Sequence, residues 1–364
     1  MEERLKQLDA DADVTCFGQE LNPFTFGIAK ADMLIRGGDP DNMQFGDTLD
    51  DDKFDGYQFD YCISNPPFGI DWKREATAVE AEHKKGFRWS LRSRPPQQKR
   101  RADAVPAQRS VQTGKPEGRM AIIQNGSSLF TGDASSGQSE IRRYLIENDW
   151  LDAIVQLPND SFYNTGIATY IWIITKDKPS EHIGRVQLID ASKCYESRRK
   201  PIGNKRVDIT EACRELIVRA YGEYRDQTCE RELESGAKLV CKSRVLDSVA
   251  LGYNKITVES PLLDEDGKKV LKKGKPVADP KSGTRRMCRW TRTSMHTLHM
   301  KSCPITRIPG STRARLRLAM RFLSPALPTS TKEVEPADQI AKRIEEHERA
   351  LMQKLHDLFG KEGE

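Results

Sequence analysis

Asn65-Pro66-Pro67-Phe68-Gly69 sets two hydrogen-bond acceptors, a stiff bend and a flat apolar ring within five residues. The β-prone run Phe59 to Ile63 precedes it, which predicts that the bend leaves the carboxyl end of a strand. In open α/β sheets that edge is where ligands bind. The two prolines hold the turn rigid and remove two backbone donors. Asn65 then offers a side-chain acceptor, the Pro66 carbonyl a second one, and Phe68 a stacking face. Such a set suits a planar group with an exocyclic NH2, for example an adenine swung out of a duplex. A Pro-Pro turn over a core phenylalanine is the competing reading, and the context decides between them.

The elements needed to position the bend follow from the pattern of apolar residues. Val14 to Phe17 predicts a short strand and Pro23 to Ile35 an amphipathic helix. Further strands are predicted at Phe59 to Ser64, Met120 to Gln124, Asp152 to Leu157, Thr169 to Thr175 and Val186 to Asp190. Gln138 to Asn148 has helical spacing, with Ser135 or Ser136 as its cap. Apolar strands alternating with helical segments predict a doubly wound α/β sheet. From about residue 214 the pattern turns helical and polar, and residues 261–283 read as an exposed loop. Pro336 to Phe359 carries Ile340, Ile344, Leu351, Leu355 and Leu358 at near-heptad positions. That makes it a helix with one apolar face, for docking a partner or for internal packing.

Two acids fall where a nucleotide-like cofactor would need them. Glu20 follows the first predicted strand, where a carboxylate can accept both ribose hydroxyls. Asp47 ends the next short segment, placed to accept from an adenine amino group. Each acid alone reads more simply as a solvated loop residue. Three successive strand ends carrying Glu20, Asp47 and Asn65 favour a site.

Composition sets the limits. The 364 residues suffice for one large domain with an appendage, or for two domains. No apolar run approaches the roughly 20 residues of a membrane span, and the charged N-terminus has no signal-peptide core. The eight cysteines show no CxxC pair, which predicts reduced thiols in a cytoplasm and no metal site. Residues 88–113 carry seven Lys/Arg against one acid, and residues 284–331 carry ten against none. The rest of the chain is therefore net acidic, although the whole is +5.

The stretch GQELNPFTFGIAKADMLIRG, then GDTL, then NPPFG resembles the modification subunit of type I restriction–modification systems, an adenine-N6 DNA methyltransferase. The block from Asn125 to Pro179, NGSSLFTGDASS onward, is similar to the same family. The likeness covers 12–86 and 115–210 closely, and 245–280 and 333–359 more loosely. It implies an incomplete Rossmann-like methyltransferase sheet that uses S-adenosylmethionine, with a C-terminal helical extension. Asn65, Pro66, Pro67 and Phe68 would be catalytic, while Glu20 and Asp47 would bind the cofactor. Tyr163 and Asn164 would face the target, or simply form a turn. The implied partners are double-stranded DNA with a flipped adenine, a specificity subunit and a restriction subunit.

The chain also departs from that family. The family carries a DPACGTG-type cofactor loop ahead of the strand predicted at Val14 to Phe17, and this chain starts after it. The basic tracts stand where family segments are apolar or acidic, and a one-base shift restores family-like text at three places within them, the first at Lys99 to Arg109. Both tracts are therefore expected to be frameshifted. The implied organisation is a partial catalytic domain over 1–213 with an aberrant tract at 88–113, a helical and loop extension over 214–283, a second aberrant tract at 284–331, and a docking helix within 332–364. Two other readings compete: a catalytically inactive remnant that retains partner or DNA association, and a nucleic-acid-binding protein that uses the basic tracts as they stand.

Overall fold

The computed structural model describes residues 2–48, 50–66, 68, 114–133 and 136–259, short stretches within 262–277, and the strands 284–289 and 313–320. Inter-residue contacts divide the chain into Met1–Pro325 and Ala326–Glu364, and every described residue belongs to the first unit. The expectations for residues 88–113 and for Pro336 to Phe359 lie outside the described residues.

Helix α1 is Glu2–Leu8. Strands β1 (Gly18–Glu20) and β2 (Met43–Phe45) pair in parallel through the crossover helix α2 (Pro23–Ile35). Helix α2 starts where the sequence says it must. The Asn22 carboxamide oxygen accepts from the N–H groups of Phe24 at 2.9 Å and Thr25 at 3.2 Å. Pro23 takes the first helical position, where a missing N–H costs nothing. The strand expected at Val14 to Phe17 begins instead at Gly18. Phe17 is taken up by an aromatic cluster, its ring centroid 5.7 Å from Phe54, 5.9 Å from Tyr57 and 5.6 Å from Phe59. Strand pairing therefore starts four residues later than expected, at Gly18 opposite Met43.

Strands β3 (Phe59–Ser64), β4 (Gly114–Asn125), β5 (Leu151–Gln156), β6 (Thr169–Thr175) and β7 (Arg185–Lys193) belong to one seven-stranded sheet. Between them lies helix α3 (Gly137–Glu147). After β7 come the hairpin β8 (Glu196–Ile202) and β9 (Lys205–Asp208), helix α4 (Glu211–Glu223), and strands β10 (Gln227–Glu232) and β11 (Lys238–Asp247). The sheet order is β10-β11-β7-β5-β6-β4-β3. Strands β3, β4, β5 and β7 run the same way, with β6 and β11 opposed to their neighbours.

Both faces of the sheet are covered. Met120, Ile122, Trp172 and Ile174 pack with Leu145 and Ile146 of α3 on one side. Val155, Ile189, Leu239 and Cys241 pack with Cys213, Leu216 and Ala220 of α4 on the other. Strands buried on both faces need near-continuous apolar runs, which is how β5 and β6 read. The fold is α/β with helices on both faces, as expected.

The reading of a polar helical stretch beyond residue 214 is corrected. Helix α4 ends at Glu223, where Tyr224 adopts a left-handed conformation. Strands β10 and β11 then extend the main sheet. Their alternation is real: Leu239, Cys241 and Ser243 are buried, while charged residues face out. The charges hid a period of two. The loop predicted at 261–283 holds a small hairpin, β13 (Leu271–Lys272) with β14 (Lys275–Pro276). Strand β12 (Gly252–Glu259) pairs antiparallel with β15 (Thr284–Arg289) and β16 (Arg313–Met320), so the second basic tract contributes two strands.

A buried polar network ties α4 to the amino end of β5. Asp152, 1% exposed, accepts from the Tyr221 hydroxyl at 2.6 Å and lies 2.8 Å from Nδ1 of His182. Arg119 donates to the Tyr221 oxygen at 3.1 Å. Burial first, then the Asp152 carboxylate, push the Tyr221 phenol well above its usual range. The network gathers around Asp152 at the amino end of β5, at the edge opposite the Asn65 bend.

Candidate active site

Asn65 follows directly on Ser64, the last residue of β3, and is exposed. Pro66 and Phe68 are half-buried, and Pro67 lies outside the described residues. The bend therefore leaves the carboxyl end of a parallel strand, at the border of the main sheet. There β3 pairs with β4, Ser64 standing beside Ile122.

Glu20 closes β1, half-buried, and one of its carboxylate oxygens accepts from the Asn22 N–H at 2.7 Å. Asp47 comes two residues after β2, also half-buried. Its carbonyl accepts from the N–H groups of Asp50 at 3.2 Å and Asp51 at 2.8 Å, closing the turn that follows. Gln19 holds that turn against β1, donating to the Asp51 carbonyl at 2.7 Å and accepting from the Lys53 N–H at 3.1 Å. The structure thus brings Glu20 and Asp47 together at adjacent ends of one parallel pair. Asn65 stands at the end of a different sheet. The amino ends of the two are joined by the Phe17–Phe59 contact.

Sequence reasoning missed Gln124. It is 1% exposed and sits two residues past Ile122, at the carboxyl end of β4 beside the bend. Neither its amide nitrogen nor its amide oxygen has a hydrogen-bond partner. A buried orphan amide costs on the order of 1–3 kcal/mol, so its retention there needs a reason. The neighbouring Thr169 hydroxyl, at the start of β6, is likewise buried and unpartnered. In the sequence, Gln124 ends an apolar run, and only its polarity gave a signal.

Tyr163 and Asn164 are exposed in the loop leaving β5. Among the described residues no cluster of His, Cys, Asp and Glu could hold a metal. No described helix is long and apolar enough to cross a membrane.

The sequence model of N-6 DNA methylases matches residues 1–261. The chain belongs to the N-6 DNA methylase family. Within it, this methylase-family chain is similar to the type I restriction enzyme MjaIX methylase subunit of Methanocaldococcus jannaschii, 29% identical over 192 residues. That alignment takes in 52% of this chain and 33% of the relative. The HindI methylase subunit of Haemophilus influenzae is 29% identical over 181 residues, 49% of this chain and 38% of that one. The chain spans between a third and two fifths of the curated relatives it matches. In solved form, a type I restriction-modification system methyltransferase subunit from Streptococcus thermophilus superposes with a TM-score of 0.52 at 28% identity, over 62% of this chain and 46% of that one. The sheet described above is therefore a methyltransferase sheet, and the likeness to type I modification subunits read from the sequence holds.

Proposed function

We propose that this chain serves as the methyltransferase subunit of a type I restriction–modification assembly. The reaction is transfer of the S-adenosylmethionine methyl group to N6 of an adenine flipped out of double-stranded DNA. A specificity subunit would read the DNA sequence, and a restriction subunit would join the full complex. One observation carries the reading: Glu20, Asp47 and Asn65 leave three successive strands of a chain that belongs to this family.

The roles follow from the side chains. The carboxamide oxygen of Asn65 and the carbonyl of Pro66 accept the two hydrogens of the adenine amino group. Gripped this way, the nitrogen is favoured in its pyramidal form, with its lone pair withdrawn from the ring and free to attack. Phe68 stacks on the flipped base and holds its plane. Glu20 is pre-oriented by the Asn22 N–H to receive ribose hydroxyls, and Asp47 accepts from the cofactor's adenine amino group. S-adenosylmethionine supplies an electrophilic methyl on sulfur. The chain contributes position, turning a bimolecular collision into an in-line transfer. No dedicated base is required, because the proton becomes acidic once the nitrogen is methylated.

The test is transfer of radiolabelled methyl groups to duplex DNA by the chain assembled with its specificity subunit, followed by nucleoside analysis. Label recovered as N6-methyladenine supports the reading. Failure to bind S-adenosylmethionine in a calorimetric titration would replace it with the inactive remnant.

A further inference from the structure

We propose that the β8–β9 hairpin is a phosphate-backbone clamp for the DNA duplex, set at the same edge of the sheet as the bend at Asn65; this rests on the function proposed above. The hairpin springs from the carboxyl end of β7, and β7, β5, β4 and β3 all run the same way. It therefore projects from the same edge of the sheet as Asn65. Four strand spacings separate β3 from β7, roughly 19 Å at ~4.8 Å each. That is roughly 5–6 base pairs at ~3.4 Å per pair, so one duplex presenting a flipped base at Asn65 also passes the hairpin.

The hairpin is held there by backbone. Asn204 N–H donates to the Tyr163 carbonyl at 2.9 Å, and Arg206 N–H to the Asp160 carbonyl at 2.9 Å, fixing it to the loop that leaves β5. Its two-residue turn, Gly203-Asn204, needs glycine for two reasons. Gly203 has φ +58°, and a Cβ there would lie 2.6 Å from the Tyr163 carbonyl oxygen. The Lys205 ammonium sits 5.1 Å from the centre of the exposed Tyr163 ring.

Charge supplies the chemistry. Residues 193–208 contain six Lys/Arg against two acids in a chain whose remainder, outside the two basic tracts, is net acidic. Arg198 and Lys205 both pair with Asp208, at 2.6 and 3.0 Å, and hold its carboxyl below the usual range. Arg199, Lys200 and Arg206 are exposed, and no ion pair engages them among the described residues. Three unpaired cations on a rigid two-stranded arm match a polyanion with regularly spaced charges. Contacts from such side chains to phosphate oxygens position the duplex without reading its bases, so the contact is independent of sequence.

The experiment measures duplex binding by the full chain as a function of salt, for the native protein and for Arg199→Ala/Lys200→Ala/Arg206→Ala. Each neutralised phosphate contributes about 0.9 to the slope of log K against log salt. The triple variant should therefore lower that slope by about 2.7, and Arg199→Lys/Arg206→Lys should keep it. Tracts 88–113 and 284–331 contribute equally to both proteins and cancel in the difference. An unchanged slope with duplex binding intact overturns the clamp and leaves the methyltransferase reading standing. Absence of any duplex binding by the native chain overturns the clamp too; S-adenosylmethionine titration of the same sample then shows whether the methyltransferase reading falls with it. Loss of specificity-subunit binding with an unchanged slope reassigns the arm to a protein partner, and the clamp fails.

Discussion

Asn65 was visible in the sequence because its neighbours are so unusual: two prolines fix the backbone, and a strand signal fixes the place. Gln124 was not, because a single polar residue ending an apolar run reads as the strand's last turn outward. In the structure it is buried without a partner. Gln124→Leu removes the orphaned amide, so chemical denaturation should show stability unchanged or raised by up to about 1–3 kcal/mol. If Gln124 serves the site, methyl transfer should fall more than tenfold in that stabilised variant. Full activity would show that the amide serves nothing at the site. Tyr221→Phe tests the opposite case, a polar group whose partners are in place. Taking the phenol from the buried Asp152 carboxylate should cost about 1.5–3 kcal/mol in the same denaturation experiment. Transfer kinetics should not change, because the network lies at the far edge of the sheet.

Elements with one dominant signal were read to within a residue or two: α2 from its amphipathic spacing, and β3 and β6 from their apolar runs. Elements in which two signals compete were misread. In β10 and β11 charge density masked the alternation of Leu239, Cys241 and Ser243, and the β8–β9 hairpin hid among its own cations despite its Gly-Asn turn. The hairpin's attachment is testable at Gly203. Gly203→Val imposes a strained backbone and a clash with the Tyr163 carbonyl, so limited proteolysis should cut between residues 196 and 208 faster than in the native chain. Equal cleavage rates would mean the arm does not depend on that contact. Burial also protects the thiols of the main sheet. Cys194 and Cys241 lie in the core, and burial raises both, Cys241 to about 12. Since the thiolate is the reactive form, alkylation at pH 8 should label half-buried Cys16 and Cys62 before either. Early labelling of Cys241 would contradict the packing of β11 on α4.

At the scale of the whole molecule, the main sheet carries the Asn65 bend and the β8–β9 hairpin at the carboxyl ends of its parallel strands. The family assignment covers residues 1–261, and the basic tracts sit within and beyond it. Composition could show that those tracts differ from the rest of the chain, but not why, because charge alone does not separate a nucleic-acid surface from a shifted reading frame. Resequencing the coding DNA separates the two. The frameshift account predicts family-like text in the alternative frames at both tracts, and uninterrupted coding with none would end it. In the proposed mechanism Asn65 grips the adenine amino group. Single-turnover methyl transfer, measured on the assembled complex alongside S-adenosylmethionine affinity, tests it most directly. Asn65→Ala should slow transfer by roughly 10²–10³-fold, the loss typical of one preorganised hydrogen bond to the reacting group, with cofactor affinity unchanged. Transfer at the native rate would contradict the account.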